Sequence, residues 1–205
     1  MFLAFALKPS FLFTDSRPLT GIDPYVTFRQ APIDFDTLRA GDLIVRMGRS
    51  FFSDRLRKYS KRDKRYSHCS LVTKGRDGKS YVFHSIGGSD NPDQVVRCDS
   101  VFTFLNPEDV SGFAVYRYQL PSRQIHSMDS IARQYYREKR MFDMKFDLDD
   151  DERLYCAEFV YKVLLYATGN LEIVNLSRQG EKLYVGVDDL YLNNLTQKLF
   201  EHEYH

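Results

Sequence analysis

Leu154-Tyr155-Cys156-Ala157-Glu158-Phe159-Val160-Tyr161-Lys162-Val163-Leu164-Leu165-Tyr166-Ala167 is an almost unbroken apolar run with helical spacing and a single thiol near its start. Cys156, Val160, Val163 and Ala167 fall on one stripe, Phe159 and Tyr166 lie beside it, and Gly169 supplies a stop. A helix apolar on most faces is buried rather than laid on a surface. A cysteine in its first turn meets unpaired backbone N–H groups and the positive end of the helix dipole, both of which favour thiolate. The helix alone does not separate a nucleophile from a small core residue, since free cysteine is commonly buried.

The 205 residues suit one domain with a peripheral extension and can bury a full core. Lys and Arg number 29 against 28 Asp and Glu, so no broad field for nucleic acid or an anionic membrane is expected. Fourteen Tyr and sixteen Phe with no Trp point to an aromatic-rich interior. Three cysteines cannot all pair within one chain, which favours a reducing compartment or an exported protein with a working thiol. The apolar start Met1-Phe2-Leu3-Ala4-Phe5-Ala6-Leu7 is too short to span a bilayer and lacks the basic start and cleavage site of a signal peptide. No stable membrane insertion is expected. The default location is cytoplasmic, with the cell envelope open if the true start lies upstream.

Residues 1–37, broken by Pro9, Pro18, Pro24 and Pro32, read as an irregular arm, and 38–205 as the domain. Gly41-Asp42 opens a strand over 43–47. Ser50 to Lys58 reads as one or two helical turns with Phe51, Phe52 and Leu56 inward, and the basic run Lys58, Lys61, Arg62, Lys64, Arg65 as a solvated connection. Strands follow over 66–73, 80–86, 95–98 and 112–120, then an amphipathic helix over 122–141 and an acidic loop, Asp147 to Glu152, expected to face solvent. The spacing of that loop does not match an EF-hand. Asp188 to Phe200 reads as a closing helix. Adjacent strands ahead of the cysteine helix predict an α+β fold with an antiparallel sheet packed on that helix.

His68 and His84 sit on the central hairpin, symmetric about Arg76, so a three- or five-residue loop centred there sets them directly opposite on one face. Thiol, imidazole and a second orienting group are what nucleophilic acyl transfer needs: sulfur attacks, imidazole moves the proton, and a third side chain fixes the imidazole. Cys156, His68 and His84 are the predicted catalytic residues, with the order of the two histidines left open. Backbone N–H groups at the start of the Cys156 helix could hold the oxyanion.

Gly41-Asp42-Leu43-Ile44, Ser67-His68-Cys69-Ser70-Leu71-Val72, Phe142-Asp143-Met144-Lys145-Phe146 and Tyr155-Cys156-Ala157-Glu158-Phe159-Val160-Tyr161, in that order, resemble the circularly permuted branch of the NlpC/P60 cysteine hydrolases, the YiiX/YebB-like (YaeF-type) group. They are similar at greater distance to lecithin:retinol acyltransferase-like proteins. The resemblance covers roughly residues 38–195, and His preceding Cys is its permuted order. It implies a papain-like α+β fold and a Cys–His–polar triad onto which Cys156 and His68 map; the third position varies among members, so His84 maps less firmly. Ala157 stands where many relatives have Ser, and Glu158 reads as structural.

Of the remaining candidates, Cys69 alternates to the sheet face opposite His68 and reads as an inert buried thiol, Cys98 as core, and His126 as surface. Glu201-His202-Glu203-Tyr204-His205 reads as a frayed terminus rather than a metal clip. The leading expectation is a thiol hydrolase or acyltransferase that cleaves an amide or ester through an acyl-thioester on Cys156. The resemblance implies peptide, cell-wall-fragment or lipid substrates, with no metal, no other cofactor and no nucleic-acid partner. The alternatives are a catalytically silent binding module and a zinc site built from His68, His84 and Cys156.

Overall fold

The computed structural model describes residues 33–88 and 91–204. Eight strands and four helices follow in order: β1 (Leu43–Gly48), α1 (Phe51–Arg57), β2 (His68–Lys74), β3 (Ser80–His84), β4 (Arg97–Ser100), α2 (Val101–Phe104), β5 (Val110–Tyr118), α3 (Ser122–Arg137), α4 (Cys156–Thr168), β6 (Ser177–Gln179), β7 (Lys182–Tyr184) and β8 (Thr196–Glu203). Six strands form one antiparallel sheet in the order β4-β3-β2-β1-β5-β8, and β6 and β7 form a separate hairpin. The fold is α+β.

Side-chain alternation divides the interior. Leu43, Val45, Cys69, Leu71, Phe83, Ala114 and Tyr116 face α3 and α4 and join their cores. Ile44, Val72, Val82, Phe113 and Val115 face the other way, onto Phe104, Leu105, Leu38 and Phe35. α4 is the most enclosed helix, buried continuously from Cys156 to Leu164. Gly169 ends it at φ 67°, a left-handed backbone that favours glycine, and its N–H returns to the Leu165 carbonyl. Gly41 takes φ 84° for the turn into β1, where buried Asp42 accepts the Arg39 N–H and pairs with Arg117 at 2.6 Å. No helix among the described residues is long and apolar enough to cross a membrane.

Several expectations are corrected. The predicted closing helix is a short turn, Asp188–Leu190, followed by β8, which pairs with β5 along the sheet edge. The helical spacing misleads because Asp188 and Asp189 point inward as backbone acceptors rather than lying on a solvent face. The terminus is accordingly not frayed through Glu203: His202 stacks on Phe200 and packs against Phe113. Phe51 is 78% exposed rather than inward, lying beside the Arg55 guanidinium, because α1 is too short to fold that ring onto the domain. The Phe52 side chain and residues 1–32 of the predicted arm lie outside the described residues; Phe35, within the same stretch, is buried in the second core.

Candidate active site

The register places the two histidines differently from the symmetric hairpin. β2 and β3 pair Leu71 with Phe83, Val72 with Val82, Thr73 with Tyr81 and Lys74 with Ser80, around a five-residue loop centred on Asp77. His68 and His84 are therefore diagonal neighbours offset by two residues, not directly opposed. The shift preserves alternation, so both still leave on one face, packed on Phe104. The offset permits a linear chain: His68 Nε2 lies 3.0 Å from His84 Nδ1, and His84 Nε2 lies 3.0 Å from Asp99 Oδ2 on β4. Arg97 holds the other Asp99 oxygen at 3.0 Å.

Burial alone would raise the Asp99 carboxyl, but hydrogen bonding and charge from His84 and Arg97 hold it far below the usual range. An ionised Asp99 accepts from His84 Nε2–H, which leaves His84 Nδ1 as acceptor and His68 Nε2–H as donor. The network thus fixes both tautomers and leaves His68 Nδ1 as a lone-pair base. Burial pushes the His68 imidazole well below its ordinary value, with Arg46 and His84 adding to the effect, so the ring is neutral near pH 7. Asp99 escaped the sequence reading. Its only signal was a carboxylate on the strand after His84, and no pairing offset was legible there.

Cys156 opens α4 after Leu154-Tyr155, two residues tied down from several sides. Leu154 N–H donates to the Met141 carbonyl at 2.8 Å, the Ser85 hydroxyl donates to the Leu154 carbonyl, and the Tyr155 phenol accepts Val185 N–H at 2.8 Å. The thiol sits where the sheet opens. Val72 N–H donates to Asp42 O, so even residues of β2 pair with β1 and odd ones aim their N–H groups toward β3. Pairing with β3 stops at Leu71 and Phe83, and the Cys69 N–H faces the gap that β3 leaves. The Cys69 thiol and the N–H groups of Ala157 and Cys69 lower the Cys156 pKa against the opposing effect of burial. Burial raises the Cys69 thiol well above its ordinary value, with Cys156 adding to it, so Cys69 is the donor.

The acidic flank does not undo this. Asp149, Asp150 and Glu152 are exposed, and Asp151 binds Lys162 at 2.6 Å. Glu158 is buried and its carboxyl is pushed up to about 9 by desolvation, so it is neutral near pH 7; its Oε2 accepts the Tyr155 N–H at 3.2 Å. That is a structural role, as the sequence suggested.

The structure brings His68 together with His84, and Cys156 together with Cys69. It forms no hydrogen bond between His68 and Cys156: the imidazole leaves β2 on the Phe104 face, and its neighbour Cys69 leaves toward α4. The direct thiol–imidazole contact expected from the sequence is therefore absent. Cys156 instead lines a small apolar cavity of about 20 Å³, with Tyr59, Phe146, Tyr155, Tyr184 and Val185 on its walls. Tyr59 stacks on Phe146 at 4.9 Å across it. Phe146 takes φ 53°, uncommon for a non-glycine residue, and is held there by Asp143, whose carboxylate accepts the Lys145 and Asp147 N–H groups at 2.7 and 2.6 Å. Cys98 is half-buried on β4 and pushed up to about 12 by desolvation, and His126 is exposed.

No family model matches the chain, and no curated protein matches it. Among solved structures it is similar to the crystal structure of metalloprotein YiiX from Escherichia coli O157:H7, with a TM-score of 0.65 and 19% identity, over 80% of this chain and 98% of that one. The two share a fold. At that identity the likeness extends to the arrangement of strands and helices and not to the chemistry.

Proposed function

We propose that the protein is a cysteine hydrolase of papain-like, circularly permuted NlpC/P60 type, acting on an amide or ester bond. The observation that carries this reading is the Cys156 sulfur, at the start of a buried helix beside an apolar cavity and held toward thiolate first by the Cys69 thiol and then by backbone N–H groups. In this mechanism the thiolate adds to the substrate carbonyl and the Ala157 N–H faces the developing oxyanion. His68, its free nitrogen set by His84 and Asp99, takes the proton that leaves the Cys156 thiol, passes it to the leaving amine or alcohol, and then draws one from the water that clears the thioester and returns it to the sulfur. This requires His68 Nδ1 to reach the reacting atoms through a bridging water or a side-chain rotation once substrate is bound. Catalytic hydrogen bonds commonly tighten only in that complex. The aromatic walls favour a substrate whose acyl part is apolar, such as a lipid acyl group or an apolar peptide residue, and the cavity of about 20 Å³ must widen to admit it. Transfer to an acceptor other than water would use the same groups.

The missing His68–Cys156 hydrogen bond favours one rival, a module that binds an apolar group without turning it over. YiiX is described as a metalloprotein, but the donors here do not fit a resident metal. Among the described residues no three His, Cys, Asp or Glu side chains are placed to hold a metal ion, and the His84 nitrogens and His68 Nε2 already serve one another and Asp99. A zinc site from His68, His84 and Cys156 is accordingly not proposed. The deciding experiment incubates the protein with p-nitrophenyl esters of graded chain length and with peptidoglycan fragments, followed by mass spectrometry of the Cys156 peptide. An acyl adduct on Cys156, with turnover absent from Cys156→Ala, supports the hydrolase. Full turnover by Cys156→Ala would end the proposal, and unreacted substrate retained by an unmodified protein would favour the module.

A further inference from the structure

The cavity beside Cys156 is too tight for any substrate. Its room is about 20 Å³, and Cys156 is 6% exposed. A space of that size holds about one water molecule, so an acyl group reaches the sulfur only when a wall moves. Three lining residues, Leu56, Tyr59 and Phe146, form the solvent side, since every other one is buried. They differ in how they are held. Leu56 belongs to α1, which is fastened to the end of β1 by the Arg57 guanidinium donating to the Gly48 carbonyl at 2.7 Å. The Phe146 ring packs against Tyr155 and Phe142, with centroids 5.1 and 6.3 Å away, and the Asp143 carboxylate pins its loop by accepting two backbone N–H groups. Tyr59 is 38% exposed. Its backbone is set by the turn that ends α1, where its N–H meets the Leu56 carbonyl at 3.1 Å. Its ring lies flat on Phe146 at 4.9 Å and 12° from parallel, and edge-on to Tyr184 at 6.1 Å. Among the described residues its hydroxyl has no hydrogen-bond partner. Stacking of this kind favours the closed position by roughly two- to twelvefold beyond the area it buries, a small margin for a side chain to overcome.

We infer that Tyr59 is the gate of the Cys156 cavity and the residue that sets which acyl groups reach the sulfur. Turning its ring off Phe146 into solvent, with the backbone unmoved, leaves a slot one ring thick between Phe146 and Tyr184. That slot is apolar on both sides and takes a slender, unbranched acyl chain or a flat ring in place of the Tyr59 ring. A chain branched beside the carbonyl is too thick for it. The gate stands on the cavity geometry, and its part in choosing the acyl group rests on the hydrolase reading.

The test alkylates the full chain with iodoacetamide and with the wider N-phenylmaleimide, and follows the Cys156 peptide by mass spectrometry in wild type, Tyr59→Ala and Tyr59→Phe. Tyr59→Ala should raise the maleimide rate about tenfold, as loss of the stack implies, and the iodoacetamide rate by less. Tyr59→Phe keeps the ring and loses only the hydroxyl, so it should match the wild type. General loosening of the fold would speed both reagents alike and lower the melting temperature, and an unchanged ratio of the two rates in Tyr59→Ala would overturn the gate. With p-nitrophenyl esters, Tyr59→Ala should shift preference from straight toward branched acyl chains. Turnover of both ester types in unchanged proportion would refute the assignment of acyl choice to Tyr59. A changed alkylation ratio without turnover of any ester would leave the gate in place and remove the hydrolase reading, so the two failures are distinct.

Discussion

His68, His84 and Asp99 form a chain in which each group sets the next one's proton, and this makes the histidines sensitive to acid. Both imidazoles lie below their ordinary value of 6.5, chiefly because they are buried. Just below 6.5 the unfolded chain therefore binds more protons than the folded one. Stability is lost as pH falls from that value toward the lowered folded pKa. The melting temperature should fall between about pH 7 and about pH 5, and a His68→Gln, His84→Gln variant should flatten that fall, as thermal scans across pH would show. Asp99, lowered instead, contributes stability that is present above its ordinary 3.8 and lost only below it, so the two windows separate. On the proposed hydrolase mechanism, His68→Ala should cost roughly 10²–10⁴-fold in kcat, the usual worth of a proton-transferring group, while His84→Ala and Asp99→Ala leave a measurable residual rate because they would act through orientation. Equal losses in all three variants would mean that the chain acts as one structural unit.

At the scale of elements, α4 and the four central strands were legible because their apolar periodicity is long and agrees with burial. β8 was not. Leu190 and Tyr191 mimic a helical stripe, while the decisive fact is tertiary: buried Asp188 accepts N–H groups of Lys61, Arg62 and Asp63 at 3.0, 2.7 and 3.3 Å from a segment far away in sequence. That carboxylate caps the loop leading from Tyr59 in the pocket wall to β2. Asp188→Ala would leave three backbone donors without their acceptor, at about 1–3 kcal/mol for a buried unsatisfied group. For a chain of this size each kcal/mol is about 2–4 °C, so a fall in melting temperature of several degrees is expected in calorimetry. Asp188→Asn, which keeps one acceptor oxygen, should recover part of it. A variant that melts with the wild type would show that the loop is held by other contacts.

At the scale of the whole molecule, the sheet is a partition, and the candidate chemistry lies on its seam. The candidate residues were nominated from local patterns, a thiol opening an apolar helix and two histidines on one hairpin. The distance between them was not legible, because it depends on the two-residue offset of β2 against β3 and on where β3 turns away to let Cys156 in. That geometry separates two influences that a direct thiol–imidazole pair would merge. The Cys156 thiol is lowered first by the Cys69 thiol and then by backbone N–H groups. The pH dependence of Cys156 alkylation by iodoacetamide should therefore keep its midpoint in His68→Ala and move upward in Cys69→Ala, where the leading donor is gone. Turnover should respond in the opposite sense, failing in His68→Ala and surviving at raised pH in Cys69→Ala. A midpoint that rises in His68→Ala instead would mean that the imidazole reaches the sulfur in solution, and that the resting protein already holds the thiolate–imidazolium pair that the folded geometry here keeps apart.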